Sequence, residues 1–438
     1  MIYVLLITLI IFAIFTYFIT NKDILSASFL SNLFFSLSTI VLILNKKKWG
    51  FYLSSKTFFV IVIAMICLAL GELSVRSFFL NRKKKLSYKN TMGSTNFNNV
   101  YELDIPFSYN ICISIVMVIY GYLYYYKIKQ IASMFGNVVD FSTTLQYYNI
   151  SSSTGYNVGI GYTFGFLVCN VLVNTYIYII LYKIIFNKFK KYDVYNFIPI
   201  VIFIIMQIIT GSRSNFIYIL TSTVVMGYIL WKNKYGWKKR SNKKMIKTAI
   251  LAMFGFLVIF YFSGKLTGKS QHFNDAFEGI SVYSSGSIVS LNLFLQTFTF
   301  NQTDFGSETL YGISHILSRL TGKEVIETRH LEFIAINSYL RTNIYTSLRR
   351  YLHDYGYIGM CFIQFIMGMF YTSIYLKIKH HIYKNEIFAI LIYSSIFYPI
   401  VMQSIDEKFL TILLTPTMLI QICCFYIFYR LFNSNSIK

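Results

Sequence analysis

The chain has 438 residues, 55% of them hydrophobic and only 13% charged, with a formal net charge of +23. Apolar runs this long and this poor in charge belong in lipid, which excludes a protein built on a sizeable soluble domain. The basic excess is not a nucleic-acid footprint: residues 232–247 carry eight basic side chains and no acid between two apolar runs, the pattern of a cytoplasmic loop that also attracts anionic lipid.

Candidate spans of roughly 17–25 residues follow in chain order near 2–20, 24–44, 57–80, 107–126, 160–182, 194–210, 214–231, 246–263, 357–376, 387–404 and 409–429. The runs do not alternate with polar residues as barrel strands would, so helices are the one remaining way to cross. The expected fold is all-α: a polytopic helical integral membrane protein with about eleven (10–13) transmembrane helices. The first segment lacks a basic start and a small-residue cleavage site and is read as a span. Cys67, Cys112, Cys169, Cys361, Cys423 and Cys424 all fall inside apolar segments without CxxC spacing, so neither a disulfide frame nor a zinc site is indicated.

With 232–247 inside, the stretch 264–355 becomes one large structured extracytoplasmic loop, apolar enough at 280–298 and 310–320 to form interfacial helices. The chain then divides into N-terminal transmembrane helices with an Arg213 hairpin (1–263), that loop (264–355) and C-terminal transmembrane helices (356–438). The basic residues of 45–56 and 81–89 do not fit this scheme cleanly. One full span between them places one cluster outside, so either a segment before 107 is not a simple span or a basic loop breaks the rule.

Charge concentrates in 264–355, which holds eight of the seventeen acids and five of the ten arginines, Arg319, Arg329, Arg341, Arg349 and Arg350. Elsewhere lysine dominates, consistent with an AT-rich coding bias, so arginine runs against the drift here. Its planar fork binds phosphate bidentately, where lysine offers a point charge. The plainer reading is that each arginine pairs with a loop carboxylate; as a group they form an anion site, joined by Arg213 in "TGSRSNF" on the same expected side. In "NIYTSLRRYLHDYGYIGM" (343–360), Asn343 can cap a helix starting at Ile344. Arg349 and His353 are then i, i+4 on one face, Arg350 and Asp354 on the next, and Gly356 ends the helix where a span begins. His315 and Arg319 repeat the spacing, and the i, i+4 pair Glu72–Arg76 reads as neutralisation of two intramembrane charges.

These segments, with "KDILSASFLSNLFFSLSTI", "YSSGSIVSLNLFL" and "DFGSETLYGISHILSRL", resemble bacterial oligosaccharide repeat-unit polymerases of the Wzy type, which build O-antigen and capsular polysaccharide. The closest resemblance is to that family's Asn-x-Tyr-Thr then Asp-aromatic-Gly-x-x-Gly pattern before a late span. It implies a metal-independent, cofactor-free glycosyl transfer in the bacterial cytoplasmic (inner) membrane, on its outer face. A growing glycan on undecaprenyl diphosphate moves onto a second lipid-linked repeat unit. The implied partners are that lipid-linked oligosaccharide as donor and acceptor, membrane lipids, a chain-length regulator and a flippase, and no nucleic acid. The implied site is Asp354 or His353 as general base and Arg213, Arg319, Arg341 and Arg349 on the diphosphates. Asn343, Tyr345 and His315 position substrate. A flippase of the same lipid-linked oligosaccharide, or an O-antigen ligase, would share much of the arginine logic; few intramembrane charges and no evident repeat disfavour the flippase. The side assigned to 264–355 has a direct test. A cysteine at 323 (Lys323→Cys) should react with a membrane-impermeant maleimide on intact cells, and labelling only after permeabilisation would reverse the orientation.

Overall fold

The structure, a computed structural model, describes residues 1–86, 102–153, 155–156, 158–211, 214–237, 276–300, 305–322 and 331–433. In chain order the helices are α1 (Ile2–Ile19), α2 (Ala27–Trp49), α3 (Ser55–Leu86), α4 (Phe107–Ser133), α5 (Phe141–Ser153), α6 (Ile160–Ile185), α7 (Phe197–Thr210) and α8 (Ser214–Tyr235). They continue with α9 (Ala276–Thr297), α10 (Tyr311–Thr321), α11 (Ser347–Lys379), α12 (Glu386–Ile396), α13 (Tyr398–Met402), α14 (Phe409–Leu413) and α15 (Pro416–Phe432). A two-stranded antiparallel hairpin, β1 (Ile334–Ala335) with β2 (Arg341–Thr342), precedes α11.

The chain is a polytopic helical membrane protein. Among the described residues, seven helices are long and apolar enough to cross a membrane, which corrects the expected eleven. Two further apolar helices, Glu386–Met402 and Pro416–Phe432, are shorter than that, and the expected span at 246–263 lies outside the described residues. The expected large loop at 264–355 is not a distinct loop. Its described part is mostly ordered helix, because α9 buries Val282, Ile288, Val289, Leu291 and Leu295 in the same core as α2, α3 and the start of α11.

Contacts divide the chain into two compact units. Unit 1 comprises Met1–Ser94, Phe273–Ile382 and Phe397–Met418. Its α1 buries Ile2, Leu5, Leu9, Ala13 and Thr16, a stripe at three- and four-residue spacing that packs on α2. Ser26 caps α2 by accepting from the Phe29 N–H at 3.3 Å, and Gly50, with φ 59°, ends it after Lys46, Lys47 and Lys48, cations placed against the negative end of the helix dipole.

The tightest packing in unit 1 is parallel, α3 on α11. A Cβ added at Gly71 would stand 2.0 Å from the Phe365 carbonyl oxygen, and one at Gly368 would stand 2.2 Å from the Leu68 oxygen. Where lipid removes most of the hydrophobic drive between helices, such close backbone approach supplies the van der Waals energy instead. Within this unit α3 runs as one helix from Ser55 to Leu86, so the basic residues of 45–56 lie at its start. Lys56 shares an apolar groove with Tyr357 and Cys361, which puts the 45–56 cluster at the end of the unit that bears Arg349 and His353.

Unit 2 comprises Thr95–His272, Tyr383–Ile396 and Leu419–Lys438. Here α6 packs on α8 and α4 on α5 and α7, and α6 buries Tyr176, Tyr178 and Tyr182. Its end is pinned by Lys183, which donates to Asp104 at 2.7 Å and Asp193 at 2.5 Å.

The α3–α11 crossing yields a stability prediction. Gly71→Val and Gly368→Val each force two backbones apart, costing about 1–3 kcal/mol of overpacking strain. The thermal midpoint of the purified protein in detergent should fall for both, while Gly161→Val, where a Cβ meets nothing within 4 Å, should leave it unchanged.

Candidate functional site

The site grows from the break in α11 at Gly356. With φ 67° and ψ −169° this residue occupies a region open almost only to glycine. It separates one short helical segment, 347–355, from the apolar run that follows. The short segment starts at Ser347 with Thr346 at the cap position, not at Ile344 with Asn343 as cap. Thr342 pairs in β2, so the chain is still extended there, and the Ile344 N–H donates to the Thr342 hydroxyl at 3.2 Å.

Five ionisable side chains meet at this segment. Asp354 is fully buried. Its Oδ2 accepts from the Thr309 N–H at 2.8 Å, the Thr309 hydroxyl at 2.7 Å and the Glu308 N–H at 3.1 Å. Its Oδ1 faces the Ser307 hydroxyl at 3.4 Å and His353 Nδ1 at 2.9 Å. The expected Arg350–Asp354 pair does not form, because Asp354 turns instead to the 307–309 turn. Arg350 donates to the Glu308 carbonyl at 3.0 Å and lies 4.0 Å from Asp406.

Arg349 and His353, one turn apart, converge on Glu308. Arg349 Nη1 donates to Glu308 Oε2, and Glu308 Oε1 lies 3.5 Å from His353 Nδ1. The Arg349 guanidinium is also flanked by the Phe294 ring at 4.8 Å and the Tyr345 ring at 5.1 Å. Burial pushes the Glu308 carboxyl above the ordinary glutamate range, and the Arg349 charge offsets part of that rise. Sequence alone gives Glu308, Thr309 and Phe294 no pairing with 347–355, although the segments "DFGSETLYGISHILSRL" and "YSSGSIVSLNLFL" contain them.

Among the other expected site residues, Tyr345 is buried and donates to the Glu332 carbonyl at 3.1 Å. Asn343 is half-buried. Arg341 is exposed on β2 and has no ion-pair partner among the described residues. His315 and Arg319 lie on the backbone of α10, but their side chains are outside the described residues, as is Arg213. The structure thus joins Arg349, His353, Asp354 and Tyr345, and Arg341 stands outside this cluster.

Glu308, His353 and Asp354 each offer one ligand atom within 4.8 Å of the others, a spacing at which a divalent ion could be held. Arg349 holds Glu308 Oε2, so an ion there would take Glu308 through Oε1, the oxygen that faces His353. As arranged, the acids are balanced by a guanidinium and by N–H and O–H donors. If Asp354 is ionised, His353 Nδ1 carries the proton of their hydrogen bond, and Nε2 becomes the basic nitrogen of the neutral ring. That is the arrangement of an oriented imidazole base beside a fixed cation.

No protein-family model, curated protein or solved structure matches the chain.

The Asp354 contacts are testable apart from any activity. Asp354→Asn keeps the shape but replaces the acceptor that gathers the Glu308 and Thr309 N–H groups. It should lower stability by about 1.5–3 kcal/mol, the worth of hydrogen bonds to a charged group. Limited proteolysis should then cut faster in 305–310 than in the parent protein. An unchanged cleavage rate would mean that the turn holds without the carboxylate.

Proposed function

We propose that this protein is a membrane glycosyltransferase of the repeat-unit polymerase type, acting on a glycan carried by a polyprenyl diphosphate. The observation that carries this reading is the Glu308–Arg349–His353–Asp354 cluster, set on a short helical segment immediately before the apolar run of α11. A lipid-linked substrate keeps its diphosphate at the membrane surface, so a site for it belongs at the mouth of a span. The sequence resemblance supports the same reading, in the same segment.

The chemistry divides among the residues as follows. The acceptor sugar hydroxyl loses a proton as its oxygen attacks the anomeric carbon of the donor, and the bond from that carbon to the diphosphate breaks. His353 takes the proton. Asp354, its oxygens already engaged by the 307–309 turn, acts as a positioning residue that fixes the imidazole. The leaving diphosphate is stabilised by cationic donors: Arg349, held by Glu308 and two aromatic rings, and Arg341, exposed nearby in the chain. Arg213 and Arg319 stay in the proposed anion-binding set on sequence grounds. The inner-membrane location, with the cluster on the outer face, is part of the same proposal.

The test is reconstitution of the purified chain with defined undecaprenyl-diphosphate-linked repeat units, with and without EDTA. Products longer than one repeat on the lipid carrier are expected in both cases. His353→Ala should lower extension about 10²-fold or more, the usual worth of a general base, with lipid-linked substrate still bound. Arg341→Lys should rescue Arg341→Ala poorly if the contact is bidentate. Translocation of substrate without extension would replace this reading with a flippase, and transfer solely to a lipid A acceptor would replace it with a ligase.

A further inference from the structure

The other end of α11 carries a second polar assembly that the proposed chemistry does not use. From Gly356 to Lys379, at about 1.5 Å per residue, the helix reaches roughly 35 Å, enough to pass from one membrane face to the other. At that far end Glu72 is fully buried, accepting from the Ser26 and Ser28 hydroxyls at 2.9 and 2.6 Å and from Arg76 Nε at 2.9 Å. Asp23 accepts from the Tyr375 hydroxyl at 2.6 Å and from Lys379 at 2.9 Å, and lies 3.7 Å from Arg76. It is turned inward by a sharp reversal between α1 and α2, in which Asn21 and Lys22 both have φ near 60°.

Beside this network lies a cavity of about 380 Å³. Arg76, Lys379 and His380 line it together with the apolar Leu73, Phe79 and Leu376. Among the described residues no carboxylate lines it, although Asp23 and Glu72 are ion-paired with the two cations. The acids hold the guanidinium and ammonium in place and cancel their mutual repulsion without facing the cavity. The His380 ring is fixed as well, stacked on Phe79 with centroids 6.5 Å apart. Held cationic side chains sharing one cavity with apolar ones match an amphiphile with an anionic head. A free phosphate would leave the leucines wet, and a zwitterionic head would bring its own cation to the lysine.

We propose that this cavity binds one anionic phospholipid, its phosphate against Arg76 and Lys379 and an acyl chain along Leu73 and Leu376. Basic pockets between transmembrane helices recognise acidic headgroups in this way. The site stands apart from the glycosyl-transfer reading and does not depend on it. Lys379 and His380 sit where α11 leaves the apolar run, so the headgroup would lie at membrane-surface depth.

The experiment uses the full chain purified in a neutral detergent, with native mass spectrometry counting bound lipid and a thermal melt in parallel. Phosphatidylglycerol should remain bound as one copy and raise the melting midpoint; phosphatidylcholine with the same acyl chains should do neither. Leu73→Trp, which fills the apolar side, and His380→Glu, which adds a negative charge at the rim, should each raise the phosphatidylglycerol concentration needed by about tenfold, or about 1.4 kcal/mol. Their midpoints without lipid should stay at the parent value. Equal binding of both lipids, an equal shift with soluble glycerol phosphate, or unchanged affinity in both variants would overturn the proposal.

Discussion

The close parallel crossing of α3 and α11 is the constraint on which unit 1 depends. Gly71 and Gly368 let each backbone touch the other directly, so the two helices keep one register. That register carries both polar assemblies of the unit. Toward the start of α3 it brings Lys56 beside Tyr357, just past the break at Gly356. Toward its other end it brings Glu72 and Arg76 level with Tyr375 and Lys379, where Asp23 joins them. A side chain on either glycine would separate the helices along their length and disturb both ends together.

Buried charge is costly wherever water is absent, and it persists here because each ion has partners of fixed geometry. The two ends meet that cost differently. Around Glu72 the acids and bases neutralise one another at the ends of spans, with serine hydroxyls filling the remaining lone pairs. Around Asp354 the partners are mostly N–H and O–H groups of a turn, which hold a carboxylate without consuming a cation. Arg349 is therefore left to Glu308, and His353 to Asp354, which sets an imidazole and a guanidinium side by side. Tyr351 extends the arrangement by donating to Glu407 at 2.9 Å, and Glu407 in turn accepts from the Leu410 and Thr411 N–H groups at the start of α14.

The amino-acid sequence by itself determined that the chain is helical and membrane-embedded, because long apolar runs admit no other solution in lipid. It also located the break at Gly356 and the one-turn spacing of Arg349 and His353, since both follow from local backbone geometry. It overestimated the spans: 387–404 and 409–429 are apolar enough, yet each is interrupted, at Phe397 and near Leu414, by turns that hydropathy does not register. It took 264–355 for a loop because the serines of α9 dilute its hydropathy, although that helix packs its apolar face into the core. Only the tertiary structure decided which acid serves which base. Arg350 and Asp354 have the spacing of a helical ion pair, but the 307–309 turn offers Asp354 several N–H and O–H donors at once and outcompetes a single guanidinium. Partners more than forty residues away in the chain leave no periodic trace in sequence; the fold alone brings their atoms within hydrogen-bond reach.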